Sequence, residues 1–302
     1  MPYRLVLKLT SALAALALLP PAASACLRVG VYQDHPLTGY PQLAGAVGPG
    51  VTTLSLYVGA RERIDPRVLA MAQRRHLLLV VAWQPDDRPT TLARVAGGRY
   101  DAALRGLVRQ LRGLDAAPIL RPMPEPNTPW YAWSGQVGGQ GARRYVEAWR
   151  HVWRVVRRTP GGRRIRLMWT PYARSVPDEA GNRIRSFFPG RDFVDAVGAV
   201  GYNFGQDDQL DWTPPQSLFA AAYAAIDRLA RKPFWLAETG STGLGGSKAD
   251  WIGQLPTLRH AFPRLRGVLW YDVREANGDF RIQETAASAA AFRTYAATAC
   301  RR

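Results

Sequence analysis

Two glutamates, Glu125 and Glu238, each close a short apolar run. Glu125 lies in Leu120-Arg121-Pro122-Met123-Pro124-Glu125-Pro126-Asn127, and Glu238 in Leu236-Ala237-Glu238-Thr239-Gly240. Aromatic residues close other runs of the same kind: Trp83, Trp169, Tyr202 and Trp270. Two carboxylates in one cleft can cleave a glycosidic bond. One donates a proton to the leaving oxygen, and the other attacks the sugar or activates water. Aromatic rings stack on the apolar faces of sugars, so the mixture suits a polysaccharide. Arg121, Met123 and Glu125 share one parity, and a regular strand points them the same way. Arg121 can then orient a carboxylate through two parallel hydrogen bonds.

Other residues divide between packing and site. Trp149, Trp153 and Trp251 fall on helical stretches, and the parity of Trp235 opposes that of Glu238, so these four read as packing residues. Trp130, Tyr131 and Trp133 stand in a polar, glycine-rich loop with little core to fill. His35, after the first run, is either an ordinary loop histidine or a hydrogen-bond partner at the site. The histidines are scattered, which supports no metal site, and no cofactor motif is present.

Such residues need a frame that brings strand ends together. Apolar, β-branched runs at 27–32, 52–58, 77–83, 118–123, 165–170, 197–203, 234–238 and 267–272 read as strands. Helical patterns fall at 66–75, 100–114, 142–158, 217–231, 250–261 and 285–298, while the links after the first and fifth strands look irregular. Continuous apolar strands alternating with helices imply a parallel sheet covered on both faces. Eight such units in 302 residues fit an α/β fold made of a single (β/α)8 (TIM) barrel, whose site forms at the carboxyl ends of the strands. No GxGxxG follows the first strand, which excludes the usual dinucleotide fingerprint.

Composition bounds the rest. Hydrophobic residues at 47% and charged residues at 21% exclude wholesale disorder. The net charge is +17, and Lys8, Lys232 and Lys248 are the only lysines among 40 basic residues. A positive surface attracts anionic polymers, so an acidic polysaccharide fits. Arg143, Arg144, Arg150, Arg154, Arg157 and Arg158 share one helical stretch, read as a solvated face rather than a nucleic-acid site. Residues 1–25 read as an export leader: Arg4 and Lys8, an apolar stretch over 9–19, Pro20 and Pro21, then Ala23-Ser24-Ala25 before a cut. That stretch is short of the roughly 20 residues needed to span a bilayer. The expectation is a secreted or periplasmic monomer in which 26–302 forms the barrel. Cys26 and Cys300 read as a disulfide, which a closed barrel brings within reach; lipid anchoring at Cys26, which would exclude that bond, and two free thiols stay open.

The chain resembles glycoside hydrolase family 26, in the clan of barrel glycosidases with catalytic carboxylates on strands four and seven. The resemblance rests on motifs in shared order over nearly all of 26–302. They are Gly97-Gly98-Arg99-Tyr100-Asp101, the stretch 120–133, Tyr145 with Ala148-Trp149-Arg150-His151, and Phe188-Pro189-Gly190 with Val194-Asp195. Gly201-Tyr202-Asn203, Lys232-Pro233 with Ala237-Glu238, Lys248 with Trp251, Leu269-Trp270-Tyr271 and Asp279-Phe280-Arg281-Ile282 follow. The resemblance implies Glu125 as acid/base and Glu238 as nucleophile of a retaining endo-β-glycosidase. It implies Tyr202 and Arg121 as partners of Glu238, Trp270 as the platform beneath the sugar at the cleavage point, Trp130 and Trp133 on the leaving-group side, and Trp83 on the glycone side. Asn127 matches the family's asparagine, and Trp169 ends strand five beside the site. Mannan with β-1,4 links is the family's commonest substrate; a β-glucan, a xylan or an exopolysaccharide are alternatives. Pro124 stands where the family carries a histidine, and this departure supports a different reading, a barrel that binds polysaccharide without cleaving it.

Overall fold

The computed structural model describes residues 26–85, 90–205 and 211–300. The leader read at 1–25 lies outside them. Eight parallel strands close into a barrel in sequence order, with the first also pairing to the eighth. They are β1 (Arg28–Tyr32), β2 (Val51–Gly59), β3 (Leu78–Gln84), β4 (Ile119–Pro122), β5 (Arg166–Trp169), β6 (Ala196–Asn203), β7 (Phe234–Ser241) and β8 (Leu265–Tyr271). Around them run α1 (Pro36–Val47), α2 (Pro66–Arg74), α3 (Thr91–Ala96), α4 (Asp101–Leu111), α5 (Gly141–Arg158), α6 (Pro215–Leu229), α7 (Lys248–Gly253), α8 (Leu258–Ala261) and α9 (Ala286–Ala297). A two-stranded hairpin, β9 (Arg274–Glu275) and β10 (Gly278–Asp279), follows β8. The single-barrel expectation holds, and each strand falls within a few residues of its expected place.

Alternation along each strand separates two cores. Leu78, Val80, Ile119, Met168, Ala196, Trp235, Ala237 and Leu269 fill the barrel interior as one cluster. The opposite parity packs against the helices in a larger cluster. Trp235 is the bulkiest member of the interior set, and its ring needs room on the neighbouring strand. Gly267 supplies it, because a Cβ there would stand 2.2 Å from the Trp235 ring. Helix α5 shows the outer pattern: Tyr145, Ala148, Trp149, Val152, Val155 and Val156 are buried at helical spacing. Arg143, Arg144, Arg150, Arg154 and Arg158 are exposed as expected, whereas Arg157 is largely covered, pairing with Asp195 and donating to Gly162 O and Ile165 O.

Two departures have local causes. Helix α1 replaces the irregular link after β1, although it contains Gly39, Pro41 and Gly45. Its propensity is poor, but Tyr40, Leu43 and Val47 still bury one face, and the Tyr40 hydroxyl donates to Val51 O at 2.7 Å. The expected helix 250–261 breaks into α7 and α8 around Pro256, which cannot donate in a helix interior. The link after β5 is indeed irregular, built of short 3-10 turns.

Cys26 and Cys300 form a disulfide with Cα atoms 4.8 Å apart, which leaves neither sulfur for acylation. The Cys300 amide also donates to Leu27 O at 3.0 Å, so the end of α9 is tied to the start of β1 twice.

Two outcomes are expected. Gly267→Ala should cost about 1–3 kcal/mol by overpacking against Trp235, read as a fall in melting temperature, and Gly267→Ala with Trp235→Phe should recover part of it. Reduction of the disulfide should lower the melting temperature by an amount equivalent to at most about 5 kcal/mol, since it opens a loop of 274 residues' separation.

Candidate active site

Arg121 is the last interior-facing residue of β4 and is wholly buried. Its Nη1 donates to Glu238 Oε2 at 3.1 Å and to Ala237 O at 2.9 Å, and its Nε approaches Thr170 Oγ1 at 3.5 Å. Burial is the largest single influence and works against the charged guanidinium, but the Glu238 charge and hydrogen bond, with Tyr57 and Glu125, together outweigh it and hold Arg121 above its ordinary pKa. An unpaired charge at this depth would be very costly, so strand four demands an anion from across the barrel.

Strand β7 delivers it through a bulge. Leu236 pairs with Ala199 and Glu238 with Val200, so the register skips Ala237. Ala237 can then stay in the interior cluster with Trp235 while the next residue faces the cleft. The Tyr57 hydroxyl from β2 and the Tyr202 hydroxyl from β6 both donate to Glu238 Oε1. Burial and the Glu238 charge hold both phenols well above their ordinary range, so they act as donors.

Glu125 arrives by a different route. Strand β4 ends at Pro122, and the backbone becomes left-handed at Met123 (φ +49°) and at Glu125 (φ +56°). The shared parity of Arg121, Met123 and Glu125 therefore fails, and Met123 packs into the helix-side core. Left-handed non-glycine residues cost of order 1–3 kcal/mol each and persist where neighbours over-determine them. Here the Met123 amide donates to Trp83 O, the Glu125 amide to Thr170 O, the Tyr145 hydroxyl to Met123 O and the Trp133 indole to Pro124 O. Glu125 is 4% exposed, and its Oε2 accepts the Trp130 indole N–H at 2.9 Å. Burial, and after it the Glu238 charge, push Glu125 up to about 8, while Trp130 and Arg121 pull the other way.

Both carboxylates open on one cleft of about 1080 Å³. Trp130, Tyr172, Arg174 and Ser175 line one flank, and Tyr271, Glu275, Asn277 and Phe280 the other. Tyr271 stacks on Tyr32 with ring centroids 5.3 Å apart, and Trp130 meets Tyr172 edge to face. Among the described residues, no cluster of three or more His, Cys, Asp or Glu is arranged to hold a metal ion.

The structure thus brings together Arg121, Glu125, Trp130, Tyr202 and Glu238. Trp133, 2% exposed and stacked on Tyr131, lines a smaller neighbouring cavity. Three expected aromatics lie elsewhere, because they carry the outward parity of their strands. Trp83 packs edge to face on Tyr100 and bonds Ala60 O; Trp169 meets Phe188; Trp270 sits between Trp251 and Phe292 and bonds Phe280 O. At the end of β8 the residue that lines the cleft is Tyr271, one position on. Asn127 is buried away from the cleft, where it braces the β5 loop through Tyr172 and Ser175. His35 is exposed at the start of α1, beside a separate cavity. Tyr57, Tyr172 and Tyr271 went unassigned from sequence. Tyr57 had a signal, since it shares parity with Thr53 and Ser55 at the end of a strand whose Leu54, Leu56 and Val58 pack outward.

Comparison with known proteins agrees with this architecture. The model of glycosyl hydrolase family 26 matches residues 86–225. Endoglucanase H of Acetivibrio thermocellus is 26% identical over 223 residues, covering 72% of this chain and 24% of that protein. The chain therefore spans about a quarter of the length of this curated relative. A family 26 β-mannanase from Bacteroides ovatus superposes with a TM-score of 0.66 at 16% identity, over 90% of this chain and 88% of the other. A mannanase from Bacillus subtilis gives 0.61 at 15% identity, over 89% and 85%. These structures share the barrel fold, and the motif resemblance to family 26 is borne out.

The opposed environments can be read directly by titration of ¹³C-labelled glutamate. Trp130→Phe removes a bond that favours the charged form, so the Glu125 carboxyl should titrate above the wild-type value near 8. Glu238→Gln removes a neighbouring negative charge, so Glu125 should titrate lower than in the wild type.

Proposed function

We propose that this chain, a barrel similar in sequence and fold to glycosyl hydrolase family 26, is a retaining endo-β-glycosidase. The observation that carries the reading is one cleft holding two buried glutamates in opposite settings. Glu238 is surrounded by donors from Arg121, Tyr57 and Tyr202. Glu125 holds its proton up to about pH 8. In the first step Glu238 attacks the anomeric carbon while Glu125 passes its proton to the departing oxygen. The Glu125 carboxylate then takes a proton from water, which displaces Glu238 from the sugar with net retention. The leaving group lies on the side of Glu125, Trp130 and Tyr172.

A β-1,4-mannan is the first substrate to test, because several structural neighbours are β-mannanases. The endoglucanase relative makes a β-glucan the next. Secretion fits the leader read at 1–25 and the disulfide, which persists in oxidising compartments. Among the described residues no helix is long and apolar enough to cross a membrane. A binding barrel without turnover is the second reading, and Pro124 favours it, since proline offers no side-chain hydrogen bond beside Glu125.

A polysaccharide panel with reducing-end detection separates the two readings. For the enzyme, kcat/KM on a natural substrate should fall as pH rises through about 8, because Glu125 must arrive protonated. Glu238→Ala should lose on the order of 10⁴-fold or more in rate. Glu125→Ala should still react with activated aryl glycosides, stall at hydrolysis, and be rescued by azide to a glycosyl azide of retained configuration. An inverted product would overturn the retaining assignment, and inactivity on every sugar would favour the binding barrel.

A further inference from the structure

Helices α4 and α5 pack side by side on the outside of the barrel and enclose a cavity of about 210 Å³. None of its lining residues lines the catalytic cleft. Positions 101 and 105 of α4, and 151, 154, 155 and 158 of α5, recur at helical spacing, so each set shares the edge facing the other helix. Val155 and Thr159 are the buried members, and the Thr159 hydroxyl is spent on Val155 O at 2.7 Å. The charged members are Arg105, Arg154 and Arg158 against the single carboxylate of Asp101. That carboxylate is already engaged. Its Oδ1 meets His151 Nε2 at 2.7 Å, and its Oδ2 lies 3.6 Å from Arg105 Nη1. Arg154 and Arg158 are exposed and, among the described residues, pair with no acid. Like charges at i and i+4 destabilise a helix, and these two form such a pair. Arg109 and Arg112 carry the positive face further along α4, again with no acidic partner among the described residues.

Size and surroundings narrow the ligand. The cavity falls below the roughly 300–1,000 Å³ of sites that enclose a whole small molecule. It suits one anionic group, a carboxylate or a sulfate, which guanidiniums grip with paired donors. The rest of the ligand then lies outside, along the arginines of the two helices. A lipid surface is bound by apolar side chains that insert into it. The exposed large hydrophobics among the described residues, Trp130, Val176 and Leu244, all lie off α4 and α5. Single-stranded nucleic acid stacks its bases on exposed rings. The rings of α5, Tyr145, Trp149 and Trp153, are buried or half-buried. A hydrophilic chain with spaced negative charges matches this face best.

We propose that the groove between α4 and α5 binds an acidic polysaccharide, with one carboxylate or sulfate seated among Arg105, Arg154 and Arg158. The site is separate from the cleft and stands whether or not the cleft cleaves the same polymer. Affinity electrophoresis of Glu238→Ala, which leaves the polymer uncut, tests it in gels containing polygalacturonate or dextran sulfate. At least one of the two should retard the protein at about 0.15 M salt. Adding Arg154→Gln with Arg158→Gln should weaken that binding about tenfold or more and flatten its salt dependence. Arg154→Gln alone should weaken it about threefold. Arg228→Gln with Arg231→Gln, which removes the same charge from exposed positions at the end of α6, should keep the affinity within about twofold. Thermal melting shows that the variants are folded. Retardation by neither polymer, or equal losses in the two double variants, would overturn the site and leave the glycosidase reading untouched. Vesicles containing phosphatidylglycerol and duplex DNA are measured at the same salt. Binding of either as tightly as the acidic polymers, and lost in Arg154→Gln with Arg158→Gln, would overturn the assignment to polysaccharide.

Discussion

A guanidinium with no exposure to water sits at the centre of this barrel, and the arrangement above it follows from the need to pair that charge. Arg121 reaches Glu238 from strand four to strand seven, and two phenols complete the carboxylate's partners. Replacing such a pair by apolar side chains of similar volume often stabilises a protein, so its presence is poor evidence of structural advantage. It makes better sense as pre-organisation. The donors occupy fixed strand positions and hold the anion in one orientation before any substrate arrives.

The same charge also acts on Glu125. Burial is the first reason Glu125 keeps its proton, and the Glu238 carboxylate across the cleft adds to it, since the two resist joint ionisation. Glu238 has an arginine and two tyrosines, whereas Glu125 has one indole. The left-handed turn that presents Glu125 is sustained by bonds from Tyr145 and Trp133, residues belonging to the next helix and loop. Substitution at either would therefore reach the chemistry through the backbone.

Most of the fold was legible because parallel strands buried on both faces read as unbroken apolar runs. Helix α1 was hidden by Gly39, Pro41 and Gly45, where tertiary burial overrode propensity. The site was legible in its charged residues and much less so in its aromatic ones. An aromatic at the end of a strand says nothing by itself about which face it occupies. Trp83, Trp169 and Trp270 all belong to the outward set, while Tyr57 and Tyr271 belong to the inward one. Parity counted from a fixed interior residue such as Val80 or Leu269 separates them. It fails at Glu238 and Glu125, because the bulge at Ala237 and the left-handed residues after β4 break the period of two. Those two irregularities leave no mark that a single sequence reveals.

The bond between Cys26 and Cys300 makes the intervening chain a covalent ring. A peptidase that cuts one loop over the cleft would therefore release no fragment. The two pieces would stay joined through sulfur and registered by the remaining strand pairing, and the nicked barrel could re-form around its ligand. A single cut in a loop above the strands thus leaves the body that carries it in one covalent piece.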